Sequence, residues 1–424
     1  MPKRLTLAAA LLLAAAASLS ATAISQANPI EMPTLSKAIA QENAIVAAHR
    51  AINPPAPPCP ENGMLPEPFS NCGLPEAPAT TLPYPGNMAY WGGHVQVVPK
   101  VYIVYFGWGQ PGAFAANEPC NAEKIAEGAL RAKLKCDPDG AGKRMADFVS
   151  QMGGTQWAQV STQFFQTGAG GTEEHITNPS DVLAGMWVDD KGPADLSGTS
   201  AESSPGPGNT YTDLAAEAAR AAKHFGVSDL ANADFVIAQP PKFSDPNALE
   251  SGYCAFHDYT QPTVEGGIYN GIAPGIAYTN MPYSLAINSE SSGGEPVNDC
   301  GENAVNSGPE GKLDGFSIVL GHEIEETITD PGAEDILGSG ESQQNVGGWY
   351  DTIDANENGD KCAWVGEPLI GGVPGAPNVM PVPGAMGDIT GNRGTKFAVQ
   401  SLWSNEAAGG TGYCAGAGTD LPGA

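Results

Sequence analysis

Asp314-Gly-Phe-Ser-Ile-Val-Leu-Gly-His-Glu-Ile-Glu-Glu-Thr-Ile-Thr-Asp330-Pro331 is the clearest helical stretch of the chain. Asp314 stands where an N-cap belongs, and Pro331 cannot continue a helix. At about 100° per residue, Phe316, Leu320, Ile324 and Ile328 form one apolar stripe. Val319, His322, Glu323, Glu326 and Asp330 share the adjoining arc. The helix therefore reads as one core-facing side next to a row of side chains of the metal-ligand type.

Working outward, Val95 to Val98 and Val101 to Phe106 are β-branched and aromatic, interrupted by Pro99, as expected of strands. Helical periodicity follows from Gly142 to Met152 and from Asp213 to Phe225, with apolar strands at Phe235 to Ala238, Tyr253 to Tyr259 and Ile276 to Thr279. Strands and helices mixed in this order predict an α+β or α/β fold, a single mixed-sheet domain of catalytic type spanning residues 95–424. The 54 glycines and 37 prolines predict long Gly/Pro-rich loops, such as residues 197–209. Residues 24–94 read as a Pro-rich pro-segment or arm, with a helix-compatible stretch from Ser36 to His49. Residues 1–23 have the Lys3/Arg4 start, apolar run and small-residue Ala21-Thr-Ala23 end of a secretory signal. No later stretch reaches the roughly 18 consecutive apolar residues of a membrane span, so a soluble mature chain is expected.

The balance of 47 acidic against 19 basic residues gives a net charge of −28. That charge repels phosphate backbones and anionic lipid, which argues against nucleic-acid or membrane partners and leaves cations, peptides or neutral polymers. Eight cysteines in an exported chain predict disulfides. Proximity pairs Cys59 with Cys72, Cys120 with Cys136, Cys254 with Cys300, and Cys362 with Cys414. A thiol role for Cys254 beside His257 is correspondingly disfavoured. Gly198-Thr-Ser200 looks like a serine-nucleophile motif, but its Gly/Ser/Pro surroundings cannot supply the helix such a motif opens.

His322 and Glu326, four residues apart, can meet one ion from a single helical turn. The form is H-E-x-x-E. In the zinc-peptidase helix H-E-x-x-H two histidines hold zinc and the intervening glutamate is the general base, which gives Glu323 that role here. Replacement of the second histidine by Glu326 weakens the ion as a Lewis acid and admits harder cations. A catalytic zinc needs three protein ligands, and Asp330, His257, Glu357 and Asp360 are the candidates for the rest. Downstream, Asp354, Asn356, Asn358 and Asp360 follow the spacing of the first half of a calcium loop, whose closing glutamate is missing because Val365 stands there.

Three segments taken together, Gly321-His-Glu-Ile-Glu-Glu-Thr-Ile-Thr-Asp330-Pro331, Gly348-Trp-Tyr-Asp351 and Glu357-Asn-Gly-Asp-Lys-Cys362, resemble the core of the Exordium / phosphate-induced protein 1 family. Gly252-Tyr-Cys254 and the Val399-Gln400 to Asn405 stretch are similar to further family segments. The resemblance implies a secreted, extracellular or wall-associated protein. It also implies that His322, Glu323, Glu326, Glu357 and Asp360 act together. The expected function is a secreted metallopeptidase-like hydrolase acting on peptide or another extracellular polymer. The alternative is a non-catalytic extracellular binding protein with a structural cation.

Overall fold

A computed structural model describes residues 30–33, 87–108, 112–114, 137–168, 170–189, 212–245, 248, 253–259, 276–290, 296–331, 348–351, 356–363, 386–407 and 412–417. Its centre is a six-stranded mixed sheet. We number its strands β1 (Ile30–Pro33), β2 (Lys100–Phe106), β3 (Leu183–Asp189), β4 (Ala233–Ala238), β5 (Tyr253–Tyr259) and β6 (Ala277–Met281). Their order across the sheet is β1-β5-β6-β4-β2-β3. The pairs β2/β3, β2/β4 and β4/β6 are parallel, while β5 runs antiparallel to β6 and to β1. Three helices accompany it: α1 (Ala141–Met152), α2 (Thr212–Phe225) and α3 (Asp314–Thr329).

The sequence explains the burial of the sheet centre. Parallel strands are covered on both faces, so they read as continuous apolar runs rather than alternating ones. Val101, Ile103, Val104, Tyr105 and Phe106 of β2 are all inaccessible, as is every residue of β4. Helix α2 packs on β4 and β6, and α3 packs on β5, β6 and α1. Two hairpins follow α3: β7 (Met386–Thr390) with β8 (Lys396–Gln400), and β9 (Leu402–Ser404) with β10 (Tyr413–Ala415). Strand β8 lies against α3, closing the side of the helix that the sheet leaves open.

The mixed α/β domain matches the expected class, and α1, α2, α3, β2, β4, β5 and β6 fall where periodicity placed them to within a few residues. Two expectations need correction. Residues 95–98 form no strand; their amides bond one by one to Gln166 Oε1 (3.1 Å), Ile328 O (2.9 Å) and Asn232 Oδ1 (2.9 Å) because Pro99 prevents a continuous ladder. Asp314 does not cap α3. The cap position is Leu313, and the Asp314 carboxylate instead accepts the backbone N–H groups of Val305 (2.9 Å) and Asn306 (2.6 Å). All sixteen residues of α3 are buried, the row of ligand-type side chains included.

Cys254–Cys300 and Cys362–Cys414 are disulfide-bonded, as proximity suggested. The pairs assigned to Cys59/Cys72 and Cys120/Cys136 lie outside the described residues, as do the Ser36 to His49 stretch and the loop at 197–209. Among the described residues no helix is long and apolar enough to cross a membrane. Strand β3, the two hairpins and the pairing of β1 with β5 were not anticipated. Gly185 lets β3 approach β2 and α2 closely: a Cβ there would lie 2.6 Å from Phe225.

Candidate metal centre

Three pieces of chain meet at the buried end of α3. The helix contributes His322, Glu323 and Glu326, strand β5 contributes His257, and the turn after residue 356 contributes Glu357 and Asp360. Asp360 opens a short 3-10 turn ending at Cys362, whose disulfide to Cys414 ties that turn to the second hairpin. Gln400 of β8 reinforces it by donating from Nε2 to Gly359 O (2.8 Å), and Trp403 N–H donates to Asn358 O (2.7 Å).

His257 is oriented by the helix terminus. Its Nε2 lies 3.2 Å from the carbonyl oxygen of Asp330. A carbonyl only accepts, so Nε2 carries the hydrogen and Nδ1 presents its lone pair. That Nδ1 makes no hydrogen bond and sits 3.5 Å from Glu323 Oε2 and 3.6 Å from Glu326 Oε2. On the other side of the ring Glu357 Oε1 is 3.6 Å from Nε2. His322 presents Nε2 at 3.0 Å from Glu326 Oε1 and 3.7 Å from Asp360 Oδ1, and that nitrogen makes no hydrogen bond. Both Glu357 carboxyl oxygens and Glu326 Oε2 are also without hydrogen bonds, whereas Glu326 Oε1 accepts from Asp360 N–H (2.8 Å).

Burial and mutual charge dominate the electrostatics. Desolvation lowers His257 to about 3, and it lowers His322 to about 4 against the opposing charge of Asp360. Glu326, Glu357 and Asp360 are pushed well above the carboxylate range, first by burial and then, for Glu357 and Asp360, by neighbouring carboxylates. The imidazoles are thus neutral, the form that ligates metals. Carboxylates crowded away from water are stable as anions only with a compensating cation.

These observations test the fit of a divalent cation. Ligands at about 2.0–2.2 Å from one ion stand roughly 3.3–3.6 Å from each other in tetrahedral geometry. The contacts around His257 Nδ1 and His322 Nε2 fall near that range, and orphaned nitrogens and oxygens point inward. The buried His and Glu groups can hold a metal ion, with His322, Glu323, Glu326 forming one donor set and His257, Glu326, Glu357 another.

Of the residues expected at the site, His322, Glu323, Glu326, His257 and Glu357 are brought together, with Asp360 beside His322. Asp330 acts differently. Its carboxylate accepts Gly348 N–H (2.7 Å), and its carbonyl, not its side chain, faces His257. The calcium-loop residues diverge: Asn356 Nδ2 turns to Asp351 (3.5 Å), Asn358 Nδ2 to Ser161 Oγ (3.3 Å) and Asp360 to His322, while Asp354 lies outside the described residues.

Two features were not foreseen. Glu325, between the site carboxylates in sequence, points away from them and accepts from Ser161 Oγ at 2.5 Å. Gly359 lies directly over the His322 ring, where a Cβ would stand 2.9 Å from Nδ1 and 2.7 Å from Glu326 Oε1. The only hint in the sequence was a glycine next to a candidate ligand. Against known proteins, no family model, no curated protein and no solved structure matches this chain.

Proposed function

We propose that the protein is an exported, metal-dependent hydrolase of the metallopeptidase type, with zinc as the ion. The single observation that carries this reading is the convergence of two neutral, hydrogen-bond-free imidazole nitrogens on the carboxylates of an H-E-x-x-E helix. Two imidazoles in the donor set favour zinc or a similar transition cation over calcium, which takes six to eight oxygens. When bound, the ion supplies Lewis acidity and lowers the pKa of a coordinated water toward neutrality.

The chain's own groups supply the rest. His322, Glu326 and His257 would supply the metal ligands, and the Asp330 carbonyl keeps His257 in the ligating tautomer. Glu323, with Oε2 3.5 Å from His257 Nδ1, receives the proton of the attacking water at a carboxylate oxygen. A peptide substrate is supported by the sheet itself. Strand β5 carries His257 and pairs antiparallel with the chain's own extended segment Ile30–Pro33, Ile30 standing opposite His257. An extended peptide taking that segment's place on β5 would lie beside the strand that bears His257. The two disulfides and the signal-like N-terminus support export, and the Exordium resemblance agrees with an extracellular setting.

A second reading, a non-catalytic extracellular protein with a structural cation, is favoured by the complete burial of His257, His322, Glu323, Glu326 and Glu357. Elemental analysis and a Glu323→Gln variant separate the two. The hydrolase reading expects bound zinc in both proteins and loss of hydrolysis of an unstructured protein substrate in the variant. Bound metal with no hydrolysis by the unaltered chain would select the structural reading, and equal turnover of both proteins would remove Glu323 as the base.

A further inference from the structure

The two oxygens of Glu326 face two different imidazoles. Oε1 lies 3.0 Å from His322 Nε2, and Oε2 lies 3.6 Å from His257 Nδ1. Among the described residues, donor atoms within 4.8 Å of one another accordingly fall into two sets, each with one histidine, and Glu326 belongs to both. We infer that the centre holds a pair of divalent transition cations bridged by the Glu326 carboxylate. His322 completes one site, with Glu323 beside it as the base, and His257 and Glu357 complete the other. The inference rests on the metal-centre reading above and replaces the single ion expected from the helix motif.

Two independent features carry it. The first is the orphaned donors: Nε2 of His322, Nδ1 of His257 and both oxygens of Glu357 are enclosed in the protein without a hydrogen bond. They belong to opposite sides of Glu326, so a single ion within bonding distance of one histidine leaves the donors of the other set unused. Buried polar groups without partners are costly, and a second cation removes that cost. The second is charge. Glu323, Glu326 and Glu357 are wholly buried and Asp360 is nearly so. One divalent cation offsets half of those four negative charges, and two offset all of them. A carboxylate spanning two ions is the ordinary arrangement of paired-metal hydrolytic sites, with the ions roughly 3.5–4 Å apart. That separation suits the two oxygens of one carboxylate held in place by the Asp360 N–H.

The arrangement assigns unequal roles to the two histidines. His257 is fixed by the Asp330 carbonyl and belongs to the sheet, whereas His322 is covered by Gly359 and the turn that Gln400 and the Cys362–Cys414 disulfide secure. Loss of either imidazole therefore removes one ion and leaves the other site its own histidine.

Manganese(II) provides a spectroscopic probe. The full chain, stripped by a chelator and dialysed, is titrated with Mn2+ while bound metal and the electron paramagnetic resonance spectrum are followed. Two equivalents bound, with the exchange-coupled spectrum of neighbouring ions, are expected. His257→Ala and His322→Ala should each halve the stoichiometry and give an uncoupled spectrum. One uncoupled equivalent in the unaltered chain would overturn the pair while leaving a metal centre in place; no binding at all would overturn both.

Discussion

Gly359→Ala is the sharpest test of the packing at the centre, because two physical arguments predict opposite signs. Gly359 has φ −78° and ψ −49°, ordinary right-handed backbone in which alanine is at home. Were the residue merely a loop glycine, alanine would stabilise the fold by about 0.4–1 kcal/mol through the unfolded chain. The structure predicts the reverse. The added Cβ would stand 2.7 Å from Glu326 Oε1, 2.9 Å from His322 Nδ1 and 3.0 Å from His322 Cγ. None of these neighbours is the loose end of a flexible side chain, since Glu326 Oε1 is also held by the Asp360 N–H. Overpacking of a filled interior costs roughly 1–3 kcal/mol. Relief requires the turn or the imidazole to shift by several tenths of an ångström, which misplaces ligands and should weaken metal binding about 10–100-fold, as loss of a supporting contact typically does. The assay is urea denaturation of both proteins with and without zinc, together with competition against a chromophoric chelator. Destabilisation with weakened zinc binding is expected; an alanine variant as stable as the parent and equally tight for zinc would refute the packing described here.

Two further predictions concern groups that are not metal ligands. Asp234, buried on β4 with the Thr279 hydroxyl beside it, is pushed up by desolvation to about 8. Its folded-state pKa exceeds the unfolded value, so the folded chain binds the extra proton. Stability should therefore fall as pH rises between about 4 and 8, with a slope approaching roughly 1.4 kcal/mol per pH unit from this one group. Asp234→Asn should flatten that part of the pH profile in urea melts; an unchanged profile would show that Asp234 is not the titrating group. Lys361 donates to Asp351 Oδ2 at 2.8 Å, lies over the Trp403 ring at 4.6 Å, and is wholly buried together with Asp351. Lys361→Met leaves a buried carboxylate without its cation and should cost about 3–5 kcal/mol, read from the denaturation midpoint. Adding Asp351→Asn should recover much of the loss, and no recovery would mean that packing on Trp403, rather than the ion pair, is what Lys361 provides.

Local pattern carried much of the architecture. A period near 3.6 marked α1, α2 and α3, and apolar β-branched runs marked β2, β4, β5 and β6, because these signals depend on neighbours within a few residues. What the pattern missed has physical reasons as well. Residues 95–98 look like a strand, yet Pro99 denies them a ladder and their amides are satisfied one at a time. The C-terminal hairpins are short, and they are held by their neighbours, β8 by α3 and β9 by the turns Ala158–Gln163 and Asp360–Cys362, rather than by local pattern.

At the site, the amino-acid order alone determined that His322, Glu323 and Glu326 share one arc of a helix, because helical geometry ties residues four apart to the same side. It named His257, Glu357 and Asp360 only among several candidates for the remaining donors. The tertiary structure decided which of them converge, through the packing of α3 on the strand that bears His257 and through a turn fastened by Gln400 and a disulfide. It also converted Asp330 from an expected side-chain ligand into a backbone support for His257, and turned the two oxygens of Glu326 toward different rings. Periodicity specifies angles within one element. The meeting of atoms from segments distant in the chain depends on strand register and helix docking, which only the folded whole sets.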